Sequence, residues 1–328
     1  MGLNLVRKTL VLVKSETTYG TDPTPTAGSD AMLLYGDGNV IKPDIKLIDR
    51  KPLRASFTKR KKGIGRHKWN FTPQTILMSK GVSTGYGAPF FGPLLKASGW
   101  AAASGSGGGS SSTVYTPSSS APVSATAWVY ADGILKKATG LYGGFQLKMV
   151  AGDDPTINFT MDGRYAEPTS VSFPAASSIT YPTDTSVMVQ SLGLSIGSYG
   201  DAEGLICREV MFDSPTTRAD RGSVNHTYGW KGTHITDRDM SMELLVEYED
   251  TLSNKNFWSD LSNSVSSNAI TFTHGDATQS KIVFSVPTPQ PISITPEDDQ
   301  GIRMMRVKYD LSSITDDGEA TISFVEKT

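Results

Sequence analysis

The sequence predicts an all-β fold built from two tandem repeats of one small β unit, each with one short helix. Three observations carry this. Apolar residues alternate with polar ones at period two: Phe145, Leu147 and Met149, then Ile157, Phe159 and Met161, then Met240, Met242, Leu244, Val246 and Tyr248. That period lines one face of a strand. The composition, with 32 Gly and 18 Pro in 328 residues and much Ser and Thr, supplies turns for short strands and little material for long helices. The order of segments also recurs. Each half runs strand, long polar loop, strand, short aromatic-bearing helix, one or two strands, then a hairpin with an acidic turn.

In the first half, "LVLVKSETTYG" (10–20) reads as a strand leading into the Pro/Gly/Ser loop "TDPTPTAGSD". "IKPDIKLIDR", "RASFTKR" and "RHKWNFT" predict strands over 45–57 and 68–72, joined as a long hairpin. Its tip is the basic stretch "SFTKRKKGIGRHKWNF" (56–71), with turn glycines supplied by "KKGIG". "APFFGPLLKASGW" (88–100) is a helix candidate bounded by Pro89, Pro93 and Gly99. "AAASGSGGGSSST" (101–113) predicts a mobile loop without a core. Strands resume at "ATAWVYADG", and 144–161 reads as a hairpin turned at "GDDP" (152–155). The Pro/Ser/Thr-rich 167–185 reads as a linker.

In the second half, Leu192, Leu194 and Ile196 alternate, predicting a strand over 190–197. A long polar loop is expected over 198–238, then the strand 240–248. "LSNKNFWSDLSNS" is a helix candidate with Ser253 or Asn254 as its cap. "AITFTHG" and "KIVFSVPT" follow as strands, then a hairpin over 292–309 around "TPEDDQG", and "EATISFVEK" closes the chain.

Several function classes find no support. The single cysteine, Cys207, allows no disulfide within the chain, so the fold suits a reducing cytoplasm. No apolar run reaches the ~18 residues of a membrane-spanning helix. "MGLNLVRKTLVLVKSE" reads as a strand rather than a signal peptide. His67, His226, His234 and His274 are not at metal-ligand spacing, and the acidic turns lack the spacing of a calcium loop. "GIGRHK" (63–68) is not followed by the helix that a phosphate loop needs, and no G-x-S-x-G elbow occurs. No carboxylate pair stands out for glycan hydrolysis. Cys207, in apolar "LICREV", reads as a structural thiol. The sequence thus names no catalytic residue, no metal ligand and no cofactor.

The charge distribution is more informative. The formal charge is −2, yet between Lys42 and Lys68 eleven Lys/Arg face only Asp44 and Asp49, a local +9 that leaves −11 to the rest. Such asymmetry implies an acidic partner, either a phosphate backbone or an acidic surface on another copy of the chain. Nucleic-acid readers pair basic residues with aromatic platforms or a recognition helix. Here Phe57, Trp69 and Phe71 flank the stretch in a sheet-like alternation, which favours an inter-subunit loop.

"KTLVLVKSETTYGTDPTPTAGSDAML", "FFGPLLKASGW" with the segment through "FQLKMVAGDDPTINFTMDGRYAEPT", and "ITDRDMSMELLVEYED" through "IRMMRVKYDL" resemble the major tail tube proteins of long-tailed, siphovirus-type bacteriophages. The resemblance covers nearly the whole chain. It implies β-sandwich or half-barrel tube domains that join sheets into rings and stack into a hollow tube for the genome. Two tandem domains would close a pseudo-hexameric ring with three copies. The organisation expected is an N-terminal arm (1–40), a first tube domain (41–170), a linker (171–188) and a second tube domain (189–328).

The resemblance further implies a virion location after assembly in the host cytoplasm. It implies as partners the chain itself and the tail tip or baseplate, tape measure and tail terminator proteins. DNA would pass the lumen without specific binding, and no membrane is involved. A lumen that held phosphate would stall ejection. The basic tip, Lys59, Arg60, Lys61, Lys62, Arg66 and Lys68, is therefore expected to leave the lumen. Its expected partners are acidic turns of adjacent subunits or rings: Asp153 and Asp154, or Glu297, Asp298 and Asp299. The N-terminal arm is expected to make inter-ring contacts as well. Competing readings are a capsid decoration protein, the inner tube of a contractile tail, and a nucleic-acid-binding module.

Overall fold

The period-two segments become strands because their apolar sets find a shared core. The protein is represented by a computed structural model that describes residues 5–36, 38–78, 88–107, 110–120, 122–181, 187–200, 202, 204–248, 255–263, 269–275 and 281–325. The first half contains β1 (Thr9–Ser15), β2 (Ala31–Met32), β3 (Ile41–Ile48), β4 (Gly63–Phe71), β5 (Gln74–Ile76), α1 (Gly92–Ala97), β6 (Trp100–Gly107), β7 (Ser110–Pro117), β8 (Ala125–Ala131), β9 (Ile134–Val150), β10 (Thr156–Tyr165) and β11 (Thr169–Ser170). The second contains β12 (Ser195–Ile196), β13 (Cys207–Ser214), β14 (Thr216–Gly222), β15 (Trp230–Arg238), β16 (Ser241–Glu247), α2 (Phe257–Asn263), β17 (Ile270–His274), β18 (Lys281–Val286), β19 (Thr288–Asp299), β20 (Ile302–Ser312) and β21 (Thr321–Val325).

Two sheets face each other across the core. The main path of the larger runs β3-β4-β10-β9-β13-β16-β20-β19, with β1, β2, β5, β8 and β11 attached beside it. The smaller runs β12-β17-β18-β21-β7-β6. Aromatic rings bind the layers: Phe212 lies 4.8 Å from Phe284, and Trp100 lies 5.6 Å from Phe145. The α1 helix adds Phe91 just ahead of it, whose ring meets Phe159 and Phe324 at 5.9 Å. Both sheets draw strands from both halves of the chain.

The larger sheet repeats one order. In the first half β3 pairs β4, β4 pairs β10, and β10 pairs β9; in the second β13 pairs β16, β16 pairs β20, and β20 pairs β19, all antiparallel. The register repeats too. The pairs Ile41–Phe71, Ile45–His67, Leu47–Ile64 and Ile48–Gly63 become Phe212–Met242, Thr216–Arg238, Arg218–Ile235 and Ala219–His234 when 171 is added to each number. The ladder irregularity falls at the same place, before Leu47 and before Arg218. What differs is a break: the first hairpin is continuous, whereas the second is cut at Pro215 and Asp239 into β13–β16 and β14–β15. Gly144 allows this bend, since a Cβ there would sit 2.6 Å from the Ser214 carbonyl and 3.0 Å from Pro215 Cα.

Several expectations need correction. The Gly/Ser segment 101–113 is largely the hairpin β6–β7, paired from Trp100–Pro117 onward, and β7 joins it to the smaller sheet through β21. The polar segment 198–238 holds β13, β14 and β15, and its alternation was masked by polar residues on the solvent face. The strand expected over 190–197 is ordered as strand only at Ser195–Ile196. In the basic hairpin β3 stops at Ile48, residues 49–62 form an exposed connection, and Gly63 and Gly65 lie inside β4 rather than at a turn. Asn256 caps α2, its Oδ1 accepting the Ser259 N–H at 2.9 Å; Ser253 and Asn254 lie outside the described residues. Ahead of the first tube domain, β1 is the strand expected at 10–20; it pairs along its length with β8, and Leu10–Val13 are buried. Buried Glu16 accepts bonds from Gly20 N, Ser124 Oγ, Thr126 Oγ1 and Gly140 N at 2.5–2.7 Å.

Candidate functional site

One face of the larger sheet is apolar and carries Trp69, Phe145, Leu147, Phe159, Phe212, Leu244 and Val307 into the core. Alternation therefore turns the intervening residues to the opposite face. There Lys148 lies 3.2 Å from Glu209, and Lys308 lies 3.3 Å from Glu243. Arg306 reaches Glu297 at 2.6 Å, Glu209 at 3.6 Å and Glu243 at 3.8 Å. The bond to Glu297 is the main reason the Arg306 pKa is raised. Lys68 sits between Asp44 (3.5 Å) and Asp162 (3.3 Å). Each of these cations is matched by carboxylate, and burial pushes the nearby Asp213 carboxyl upward. Sequence reasoning missed this network, although its signal was there: charged residues at alternate positions of strands whose other positions are core.

The sheet is open at both ends of its path. β3 and β19 each have one paired neighbour on that path. Both carry proline, Pro43 in β3 and Pro289, Pro291 and Pro296 in β19, as edge strands do. Between them, β9 and β13 join the halves through an antiparallel ladder from Glu209–Val150 to Ser214–Phe145.

The basic residues divide into two groups. Arg66 and Lys68 lie in β4 and are paired within the chain, Arg66 with Asp220 of β14 and Lys68 as above. Lys62 lies 3.1 Å from Asp49 across the base of the connection. Among the described residues no carboxylate stands within ion-pair distance of Lys59, Arg60 or Lys61. The 49–62 connection is exposed throughout, and Leu53 and Phe57 are fully so.

The acidic turns lie at the other end of the sheet. β9 and β10 turn at 151–155 and β19 and β20 at Gln300–Gly301, whereas β4 pairs β10 near its far end, Arg164–Lys68. Asp153 and Asp154 occupy the first turn. Around the second, Glu297 holds Arg306, Asp298 Oδ1 accepts the Gly301 N–H, and Asp299 pairs with Arg208. Within one chain the basic tip and these acidic turns are not brought together.

The β14–β15 hairpin does the reverse of the basic connection: it folds back over β4, β9 and β10. Arg218 pairs with Asp162 at 3.3 Å and donates to the Tyr142 carbonyl at 3.2 Å. Tyr228 packs on His67 (4.7 Å) and Tyr165 (5.5 Å). His226 Nε2 lies 2.7 Å from Arg164, and burial followed by that guanidinium lowers the His226 pKa. The Tyr19 hydroxyl accepts the Thr233 N–H at 3.0 Å, and its ring stacks on Tyr142. Burial pushes the Cys207 thiol up to about 12, which makes it a structural thiol.

These features describe a building block: a sheet with two open edges, a polar face whose cations are matched by carboxylates, and an exposed basic connection at one end. Among the described residues no group of His, Cys, Asp and Glu is arranged to hold a metal ion. No helix among them is long and apolar enough to cross a membrane. A search of curated proteins returned no match. The family model described as phage tail tube protein matches residues 7–324, nearly the entire chain. The chain belongs to the phage tail tube proteins, and is a structural component of the virion that polymerises into the tail tube.

Proposed function

We propose that three copies of this chain close each ring of a siphovirus-type tail tube, and that the tube conducts the genome from capsid to host. The observation that carries this is the repeated strand order with its two open edges. Within the chain, the β9 edge of the first half meets the β13 edge of the second. By the repeat, β19 stands where β9 stands, and β3 where β13 stands. The β19 edge of one chain then meets the β3 edge of the next by the same antiparallel join, and three chains of two halves give pseudo-sixfold symmetry. Closure removes the unpaired edges, which otherwise invite uncontrolled pairing. The chain is on this reading a tandem duplication, with tube domains at 41–170 and 189–328 and a connector at 171–188.

The apolar face of the larger sheet is covered by the smaller sheet, so the part of the polar face that β14–β15 leaves open lines the lumen. Its carboxylates neutralise Lys148, Arg306 and Lys308, leaving phosphate little to hold. This supports DNA passage without specific binding and argues against a nucleic-acid-binding module. Rings stack head to tail, so the end carrying Lys59–Lys62 faces the end carrying Asp153, Asp154 and Glu297–Asp299 of the next ring. The tail tip or baseplate, tape measure and terminator proteins would meet the same two ends and the lumen. Cryo-electron microscopy of the polymer tests the reading. Threefold rings with eight strands per chain around the bore are expected, and a bore lined by Lys59–Lys62, or rings of six chains, would overturn it.

A further inference from the structure

We infer that the basic connection 49–62 is seated on the adjacent chain of its own ring, in an acidic groove beside the end of β20. It is held there as β14–β15 is held on the first half of its own chain. The inference rests on the ring reading above and names a contact that reading leaves open.

The repeat register fixes what corresponds to what. Ile48 to Gly63 and Ala219 to His234 each enclose fourteen residues, so 49–62 corresponds position by position to 220–233. Phe57 takes the place of Tyr228, and Leu53 that of Val224. On the receiving side, Arg66, His67 and Lys68 correspond to Asp237, Arg238 and Asp239. Met161 and Tyr309 pair with the equivalent residues Phe71 and Met242, so Arg164 and Tyr165 correspond to Ser312 and Ser313. The site that receives Tyr228 within the chain, between His67 and Tyr165, therefore corresponds to a site between Arg238 and Ser313.

That site is open. A groove of about 570 Å³ lies there, lined by Arg238, Ser313, Asp316, Asp317 and Glu319 among others. Serine in place of tyrosine leaves the room that an incoming aromatic needs. Phe57 is fully exposed in the single chain. Its ring would meet the Arg238 guanidinium, which Asp317 (2.5 Å) and Glu319 (2.8 Å) hold in place.

The charges differ between the two sites. Within the chain the receiving surface carries Arg66, Lys68 and Arg164, and the arriving hairpin, with Asp220, Arg221 and Lys231, places Asp220 against Arg66. At the corresponding place Asp237 and Asp239 stand for Arg66 and Lys68, with Asp310, Asp316 and Asp317 beside them. The arriving connection carries Arg50, Lys51, Arg54 and Lys59–Lys62. The basic connection 49–62 matches the acidic groove and is repelled by the basic site, which favours its seating on the second half of the next chain.

A disulfide trap in assembled full-length tubes tests this. Phe57→Cys with Ser313→Cys should, on oxidation, give covalent species of up to three chains and no longer ones, because the links stay within a ring. Phe57→Cys with Asp298→Cys should stay unlinked. Links from the second pair running beyond three chains, or no link from either, would overturn the inference while leaving the ring intact. Separately, Asp316→Lys should raise the protein concentration needed for assembly several-fold, and Lys61→Asp in the same chain should restore it; no restoration counts against the groove. Wild-type polymer without threefold rings would overturn the ring reading itself, and this inference with it.

Discussion

Residues 49–62 and 220–233 have the same length and the same register at their bases, yet the first is exposed throughout and the second is anchored by buried Trp230 and Thr233. In the second, Trp230 is buried and donates to Asp220 at 3.2 Å. At the equivalent place in the first stands Lys59, exposed. Local propensity does not explain the difference, since both segments are short of apolar residues. The presence of a neighbour does. β14–β15 finds the first half of its own chain beside it, whereas 49–62 has nothing beside it until a second chain arrives. A segment's order is here set by what its sheet edge adjoins.

The largest expected effect tests this contrast in the dispersed subunit. Trp230→Ala should cost about 3–5 kcal/mol, the range for removing a large buried aromatic. Lys59→Ala should stay within about 0.5 kcal/mol, as exposed substitutions do. Urea denaturation of unassembled protein measures both. A Lys59→Ala variant as damaged as Trp230→Ala would mean that the two connections are not different in the single chain.

Next in size is the pair Asp162 and Asp310, which occupy equivalent places in β10 and β20. Asp162 is buried beneath the hairpin and shared by Lys68 and Arg218, both at 3.3 Å. Asp162→Asn should cost about 2 kcal/mol, in line with hydrogen bonds to charged groups. Asp310 is half-buried and has no ion pair among the described residues, and Asp310→Asn should cost under about 0.5 kcal/mol in the subunit. Equal losses by denaturant midpoint would remove the asymmetry between the two sites.

How far the sequence revealed this follows from the same contrast. Strands whose alternation reports a buried face, such as 144–161 and 240–248, were legible because the core dictates every second residue. The hairpin β14–β15 was not legible, since its partners Arg66, Tyr165 and Tyr142 are distant in the chain and its own face is polar. β6 and β7 were hidden by Gly and Ser, which are poor strand formers alone and are held as strand here by the pairing of β7 with β21. The basic stretch was visible as charge. Only its pairing could split it into Arg66 and Lys68, already neutralised, and Lys59–Lys61, without an acid among the described residues. The 171-residue correspondence lives in register, not in residue identity, so the ladders were needed to expose it.

Assembly should feel salt where the subunit does not. Raising salt from 0.1 M to 1 M shortens the screening length from about 10 Å to about 3 Å. If 49–62 binds acidic surface on another copy, the critical concentration for tube formation should rise roughly tenfold, a change of about 1.4 kcal/mol. Replacing Lys59, Arg60, Lys61 and Lys62 with Ser should flatten that dependence and leave the subunit's denaturation midpoint unchanged. Sedimentation of tubes across the salt series reads the first, and urea melts read the second. A charge-depleted variant that keeps the full salt slope would place the salt-sensitive contact elsewhere.

The smallest effect concerns the vacant groove alone. Burial by itself would raise the Asp317 carboxyl, but bonds from Arg238 and from the Ser119 hydroxyl and N–H hold it down to about 2. A carboxyl lowered on folding stabilises the native state fully above its unfolded value near 4 and loses that contribution as pH falls toward about 2. Solvent reaches this group, so screening leaves it on the order of 1 kcal/mol or less. Asp317→Asn should therefore lower stability slightly at pH 7, and the deficit should shrink as pH falls through about 2, where the parent's carboxyl becomes protonated. Denaturant midpoints at the two pH values decide it. A deficit that persists undiminished at low pH would mean that Asp317 acts through shape rather than charge, and that Arg238 is held at the groove by Glu319 alone.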